Sequence, residues 1–183
     1  MEQKKTAVIV VDMLNDFVTG PLKSERVQAM VPPLVKLLKE ARKNGVTVIF
    51  SNDCHLKIDR ELEIWGEHAM RGTKGAEVIP ELGLCDTDHV VPKRCYSGFF
   101  GTDMDLLLRD LGIENVIMTG CHTHMCVRHT SADAYCLGYN IFVASDATDS
   151  FTKEDYENGI AYLKQLYKAD VRTVDEFCEL FNK

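Results

Sequence analysis

The segment that begins at Asn115 carries a high density of side chains that could do chemistry. Its sequence, NVIMTGCHTHMCVRHTSADA, contains two cysteines and three histidines. Residues of these types can form a metal site, a redox pair, or a loop that presents one nucleophile. A thiol is a nucleophile only as its thiolate, so a catalytic cysteine here would need a base or a cation from elsewhere in the chain.

The first interpretation is a zinc site made from Cys121, His122, His124 and Cys126, because thiolate and imidazole are ligands that zinc prefers. Adjacent residues of an extended strand point to opposite faces, however, which makes it difficult for Cys121 and His122 to share one ion. A redox pair is disfavoured because four residues separate Cys121 from Cys126, whereas redox motifs usually have two. We therefore favour a single nucleophile, Cys126.

Asp12 and Lys93 are the distant residues best suited to activate Cys126. Each of them follows an apolar run with the pattern of a buried strand. Cys126 is expected at the start of a helix, where backbone N–H groups favour an anion. Asp12 could accept the thiol proton, and Lys93 could hold the two negative charges close together. Each residue alone also fits an ordinary structural role, so the hypothesis depends on all three meeting in one place.

A second group of residues has the types and spacing of a metal site. Asp53 and His55 are two positions apart after a predicted strand, so both side chains can face the same way. His68 follows later, and Glu61 lies seven residues before it, which is about two helical turns. Two imidazoles with carboxylates suit zinc, with iron or manganese as alternatives. On spacing alone, exposed residues of a charged loop are the favoured interpretation.

Strands and helices alternate along the chain, which is why these residues are expected to meet. The alternation predicts an α/β fold: an open, mostly parallel sheet of about six strands with helices on both faces. The predicted strands are residues 6–11, 46–50, 89–91, 115–119, 140–144 and 171–174. Ligands of such sheets bind beyond the carboxyl ends of the strands, where Asp12, Asp53, Lys93 and Cys126 fall.

Several helices are predicted between these strands and at the end of the chain. Apolar residues at helical spacing indicate a helix around residues 34–41, and further helices are expected at 126–137 and at the carboxyl end. Thr102 with Asp105, and Thr152 with Asp155, have the spacing of capping boxes. Two more helices are therefore predicted to begin at these threonines.

The composition is that of an ordinary globular protein. The 183 residues are 45% hydrophobic and 27% charged, which fits one domain spanning residues 1–183. A net charge of −7 disfavours nucleic acid as a partner. No apolar run is long enough for a membrane span. The seven cysteines lack the paired spacing of a disulfide framework, which favours reduced thiols and a cytoplasmic location.

Three segments resemble the signature blocks of the isochorismatase-like cysteine hydrolases. They are AVIVVDMLNDF, VPKRCYSGFFGTDMD and GCHTHMCVRHTSADAYCLGYNIFVASDAT, in the order that the family shows. The resemblance implies a Rossmann-like, isochorismatase-type fold with Asp12, Lys93 and Cys126 as the catalytic triad. It also implies a cis peptide bond between Cys121 and His122, with the backbone N–H groups of His122 and Cys126 forming an oxyanion hole.

The second group of residues resembles the metal site of the nicotinamidase branch, which isochorismatases lack. The shared pattern is Asp-x-His, then an aromatic residue, His, and Gly-Thr-x-Gly. The implied metal ligands are Asp53, His55, Glu61 and His68. Many relatives have two prolines where this chain has Gly66 and Glu67, so Glu63 and Glu67 compete with Glu61 as the fourth ligand.

The resemblance implies a zinc-dependent nicotinamidase of NAD salvage. Its substrate would be nicotinamide, with pyrazinamide as a second candidate, and Phe17 and Trp65 would occupy the family's ring-clamping positions. Cys126 would attack the amide carbonyl, and water would hydrolyse the resulting thioester. The alternatives are a related hydrolase of N-carbamoyl or ureido compounds or of isochorismate, and a non-catalytic metal- or ligand-binding protein. Family habit also implies a homo-oligomer.

Overall fold

A six-stranded sheet forms the centre of the protein. The computed structural model describes residues 2–182. The strands are β1 Thr6–Val11, β2 Thr47–Asp53, β3 His89–Lys93, β4 Asn115–Cys121, β5 Asn140–Asp149 and β6 Asp170–Arg172. They lie in the order β3-β2-β1-β4-β5-β6, and every neighbouring pair is parallel. The predicted α/β fold with an open, parallel sheet is therefore confirmed.

Helices cover both faces of this sheet. They are α1 Asn15–Val18, α2 Glu25–Ala29, α3 Val31–Lys43, α4 Leu62–Trp65, α5 Met104–Asp110, α6 Arg128–Cys136, α7 Lys153–Tyr167 and α8 Val174–Phe181. Short 3₁₀ segments occur at Gln3–Lys5, Lys74–Ala76 and Pro80–Leu82. Buried residues of α3 and α8 share one apolar cluster, and those of α5, α6 and α7 share the other. None of the helices within residues 2–182 has the length and apolar character that a membrane crossing requires.

Strand β1 is the middle of the core. All six of its residues are buried, and alternate residues pack against opposite clusters because successive side chains of a strand point to opposite faces. Val8 and Val10 contact the α3 and α8 side, whereas Ala7, Ile9 and Val11 contact the other side. This accounts for the unbroken apolar run in the sequence, which is typical of a strand covered on both faces.

Two of the predicted element starts differ from the structure. The Thr102 hydroxyl donates to the Gly98 carbonyl and accepts the backbone N–H of Met104 at 3.3 Å, not that of Asp105, and α5 begins after Asp103. The predicted capping box at Thr102 is therefore wrong, whereas Thr152 does accept the backbone N–H of Asp155 at the start of α7. The helix predicted from Cys126 also begins later, because a π-helical turn, Thr123–Val127, precedes α6.

The carboxyl ends of β1 and β4 form the edge of a crevice. These strands are neighbours in the sheet although two strands separate them in sequence, so the winding direction of the chain reverses between them. Ligands of open α/β sheets bind at such a reversal. Gly120 of β4 allows the two strands to approach here, since its φ is 89° and an added Cβ would lie 2.0 Å from the Val11 carbonyl oxygen.

Candidate active site

The three residues of the expected triad meet at this crevice. Nζ of Lys93 lies 2.8 Å from Oδ2 of Asp12. Sγ of Cys126 and carboxylate oxygens of Asp12 and Asp53 all lie within 4.8 Å of one another. All four side chains are buried. The structure thus brings together an acid, an ammonium and a thiol that are far apart in sequence.

Each of these side chains is positioned by the end of a strand. Lys93 is the last residue of β3, and Asp12 follows β1 in a left-handed backbone conformation with φ 53°. The Asp12 carboxylate accepts the backbone N–H of Asp53, at the end of β2, at 2.7 Å. Cys126 lies in the π-helical turn after β4. Four parallel strands therefore supply one site, as expected for carboxyl ends that lie at one edge.

The protonation states of these side chains follow from burial and from the Lys93 ammonium, which pairs with both Asp12 and Asp53. Burial, and then the charge of Asp53, raise the pKa of Asp12 to about 6, although Lys93 opposes the shift. Burial lowers the pKa of Lys93, but the two carboxylates outweigh it and the pKa lies well above its ordinary value. Burial also raises the pKa of the Cys126 thiol. At neutral pH the site holds a charged ammonium and a protonated thiol beside a carboxylate of raised basicity.

Asp53, His55 and His68 form a second buried group beside the first. One ligand atom from each lies within 4.8 Å of the other two. Nε2 of His55 and Nε2 of His68 lie 3.5 Å and 3.9 Å from Oδ2 of Asp53. Asp53 and His68 line the pocket that Cys126 also lines.

Hydrogen bonds fix the orientation of both imidazoles. Nδ1 of His68 donates to the Gly66 carbonyl at 2.9 Å, and Nδ1 of His55 lies 3.1 Å from the Asp59 carboxylate. In the neutral rings these bonds favour the proton on Nδ1, which leaves Nε2 of each ring available as a metal ligand. Nε2 of His55 is buried and has no hydrogen-bond partner among the described residues. Two free imidazole nitrogens and a carboxylate are a donor set that fits a divalent transition metal.

Asp59 is a functional candidate that the sequence did not reveal. Its carboxylate is buried, accepts the backbone N–H of Leu56 at 2.9 Å, and pairs with the Arg94 guanidinium. The hydrogen bonds from Arg94 hold the pKa of Asp59 well below its ordinary value. Asp59 lies four residues after His55, a spacing that had appeared to belong to an ordinary charged loop.

The carboxylate of Glu61 lies outside the cluster of Asp53, His55 and His68. Glu61 is half-buried at the start of α4 and lines the same pocket. Burial, and then the negative charge of Asp53, raise the pKa of Glu61 to about 7. The two competing candidates, Glu63 and Glu67, are exposed. Of the three glutamates, only Glu61 lines this pocket, so its role as a fourth ligand stays a prediction.

Aromatic rings form the walls of the pocket above Cys126. Phe17 meets the His68 ring edge-on at a centroid distance of 5.5 Å, and Trp65 stacks on Phe151 at 5.9 Å. The indole N–H of Trp65 donates to the hydroxyl of Tyr96 at 3.1 Å. Phe17 and Trp65 were expected here, whereas Tyr96 and Phe151 were not, because a lone aromatic residue has no distinguishing sequence pattern. The walls suit a flat, apolar substrate ring.

The cysteine-rich segment, residues 121–126, does not form the alternative zinc site. The Cys121 thiol donates to the Asp12 carbonyl at 3.4 Å, while the His122 ring stacks on Phe151. Cys121 and Cys126 are both free thiols, so they form no redox disulfide in this structure. The peptide bond between Cys121 and His122 is cis, as the resemblance implied.

Comparison with known proteins agrees with this geometry. The family model described as the isochorismatase domain matches residues 6–176. The N-carbamoylsarcosine amidase of Thermoplasma acidophilum has 38% identity and a TM-score of 0.88, with 93% of this chain and 97% of that chain covered. The nicotinamidase/pyrazinamidase PncA of Bacillus subtilis has 30% identity and a TM-score of 0.86, with coverage of 91% and 98%.

A metal-containing relative is also similar in structure. The pyrazinamidase of Pyrococcus horikoshii, solved in complex with zinc, has 27% identity and a TM-score of 0.85, with 92% of this chain and 99% of that chain covered. These relatives differ in the amide that they are named for, but they share the fold. The family model, the fold and the meeting of acid, ammonium and thiol lead to one conclusion. The chain belongs to the isochorismatase family of hydrolases.

Proposed function

We propose that the protein is a metal-dependent amidase that hydrolyses nicotinamide to nicotinate and ammonia, as a step of NAD salvage. The observation that carries this proposal is the position of the Asp53, His55 and His68 cluster, which shares one ammonium with the Asp12 and Cys126 pair. An amidase without a metal would have no need of two buried, anchored imidazoles next to the carboxylate that pairs with the catalytic lysine.

The proposed reaction begins with a proton transfer from Cys126 to Asp12. The Asp12 carboxylate takes the thiol proton as the sulfur attacks the amide carbonyl carbon, and the carbonyl electron pair moves to oxygen. The raised pKa of Asp12 suits this role, because a general base works best when its pKa is near the working pH. The Lys93 ammonium stabilises the negative charges throughout.

Collapse of the tetrahedral intermediate releases ammonia. Protonated Asp12 gives its proton to the amide nitrogen as the C–N bond breaks, which leaves a thioester on Cys126. Asp12 then takes a proton from water, whose oxygen attacks the thioester carbon. The C–S bond breaks, protonated Asp12 returns its proton to the thiolate, and the product leaves as nicotinic acid, which ionises to nicotinate in water. The backbone N–H groups of His122 and Cys126 are the proposed donors to the oxyanion in both halves of the reaction.

The metal ligands in this proposal are Asp53, His55, His68 and Glu61. The orphaned Nε2 of His55 and the anchored ring of His68 fit zinc, and iron or manganese are the alternatives. When bound, the ion supplies an electrophilic contact for a ring nitrogen of the substrate. Phe17 and Trp65 hold the ring between their side chains, so that the carboxamide lies over Cys126.

Ammonia release is the direct test of this function. Purified, zinc-supplemented protein should release ammonia from nicotinamide, and from pyrazinamide as a second ring amide. The matched control is Cys126→Ala, which keeps the metal cluster intact. Failure of the wild-type protein to hydrolyse either ring amide would refute the proposal. We further propose a cytoplasmic homo-oligomer, which size-exclusion chromatography with light scattering can check.

Hydrolysis of an N-carbamoyl or ureido compound is the second candidate. It is favoured by the 38% identity to the Thermoplasma acidophilum N-carbamoylsarcosine amidase. The triad chemistry would be the same, because such compounds also contain a carbonyl that bears an NH₂ group. The two candidates separate in one assay, in which N-carbamoylsarcosine and nicotinamide are compared at equal concentration with the metal-loaded protein.

A further inference from the structure

The His122 side chain is a buried polar group without a protein partner. The residue is 1% exposed, and neither ring nitrogen makes a hydrogen bond within the described part of the chain. A buried polar group without a partner lowers stability, so native structures contain few of them. The ring lines the pocket above Cys126, so a bound ligand can supply the missing partner.

Two phenylalanine rings contact this imidazole. Phe151 stacks on it at a centroid distance of 3.8 Å, and Phe17 contacts it edge-on at 6.0 Å. The nearest imidazole, that of His124, is bonded to the Ser150 hydroxyl at 2.9 Å. Burial, and then the charge of His124, lower the pKa of His122 to about 3. The His122 ring is therefore neutral, with one N–H donor and one acceptor nitrogen to offer.

We propose that the His122 imidazole determines substrate preference by donating a hydrogen bond to an acceptor atom next to the carboxamide. This inference rests on the proposed function, in which the backbone N–H of the same residue binds the amide oxygen. Because the ring and that N–H belong to one residue, and the ring lines the same pocket as Cys126, we assign its hydrogen bond to an atom close to the carbonyl.

This position defines a class of preferred substrates. In a ring carboxamide, the atoms nearest the carbonyl are those beside the carbon that bears the carboxamide. Nicotinamide has only C–H groups there, whereas pyrazinamide has a nitrogen acceptor at one of the two positions. Like nicotinamide, pyrazinamide also has a ring nitrogen two bonds from the carbon that bears the carboxamide. Azine carboxamides with a nitrogen beside the carboxamide are therefore the class that His122 favours.

The test compares kcat/KM for pyrazinamide and nicotinamide in the wild type, His122→Phe and His122→Gln. Phenylalanine keeps the stacking on Phe151 but cannot hydrogen-bond, and glutamine restores a donor. The ratio of the two kcat/KM values should fall about three- to tenfold in His122→Phe, as expected for one hydrogen bond, and recover in part in His122→Gln. The control is His124→Phe, which alters a neighbouring ring outside the pocket wall and should preserve the ratio.

Affinities of the same two amides for Cys126→Ala protein, with and without His122→Phe, give a second readout that needs no turnover. An unchanged ratio in both readouts would overturn the role of His122 and leave the amidase proposal intact. If the wild type hydrolyses neither amide but the affinity ratio depends on His122, the amidase proposal fails and the recognition role stands. Failure of both amides to bind would overturn both.

Discussion

Nζ of Lys93 lies 2.5 Å from Oδ1 of Asp53, so one ammonium joins the proposed catalytic residues to the proposed metal ligands. The same nitrogen contacts Asp12 at 2.8 Å, and the Lys93 side chain is fully buried. Oxygens of the Asp12 and Asp53 carboxylates lie within 4.8 Å of each other, and two buried carboxylates this close could not both stay ionised without a cation between them. Lys93 therefore pairs with one carboxylate from each of the two proposed groups.

Replacing Lys93 by methionine should affect both stability and activity. The substitution keeps most of the side-chain volume but leaves Asp12 and Asp53 buried without their cation. Breaking a buried ion pair in this way lowers the free energy of unfolding by about 3–5 kcal/mol, and turnover should be lost. Urea denaturation followed by circular dichroism measures the first effect.

Lys36→Met is the matched control for Lys93→Met. Lys36 pairs with Asp175 at 2.6 Å, but the two side chains are 56% and 74% exposed. Exposed pairs contribute about 0–1 kcal/mol. Equal losses of stability in the two variants would contradict the structural role assigned to Lys93.

The two buried thiols of the cysteine-rich segment should behave differently. Cys126→Ala should reduce kcat by roughly four orders of magnitude or more, as is typical when a nucleophile is removed. Cys121→Ser should retain most of the activity, because the Cys121 thiol donates its hydrogen bond to the Asp12 carbonyl, to which a hydroxyl can also donate. Metal content by elemental analysis should be equal in both. Turnover that survives in Cys126→Ala would remove that residue from the mechanism.

Much of the site could be predicted because parallel strands place their carboxyl ends together. Asp12, Asp53 and Lys93 each follow or end an apolar strand. That shared position at the strand ends favours their meeting at one edge of the sheet. The order of the strands did not follow from the pattern, since β1 pairs with β4 through contacts that no local periodicity encodes.

Asp59→Ala should weaken metal binding without removing a proposed ligand. The Asp59 carboxylate orients His55 through Nδ1 and is itself fixed by Arg94, and loss of such a partner typically costs about 10–100-fold in metal affinity. Competition with a chromogenic chelator measures the zinc affinity of each protein. The control Asp86→Ala changes an exposed aspartate of a distant loop. The positioning role is wrong if both variants bind zinc as the wild type does.

Two glycines with positive φ should respond unequally to alanine. Gly138 has a φ of 94° and open space around it, so Gly138→Ala should cost only the backbone term of about 1–2 kcal/mol. Gly120→Ala adds a clash with the Val11 carbonyl, and overpacking costs a further ~1–3 kcal/mol. Thermal unfolding of the two variants gives the comparison. Equal stability would contradict the close approach of β1 and β4.

The remaining features of the site depend on side-chain packing that sequence spacing does not encode. Asp59 could not be distinguished from other acidic residues of its loop until the structure placed it on His55. Phe151 lies far along the chain from Trp65, and only the folded pocket brings the two rings together. The Thr102 hydroxyl was expected to form a capping box with Asp105, but it accepts the backbone N–H of Met104 instead.

The most direct test of the account is ammonia release from nicotinamide by one enzyme preparation before chelation, after chelation, and after zinc is restored. Buried imidazoles anchored opposite Asp53 predict that chelation abolishes turnover and that zinc restores it, while the thermal unfolding temperature falls on metal loss. Full activity in protein shown by elemental analysis to be free of metal would contradict the proposal that this cluster holds the substrate over Cys126.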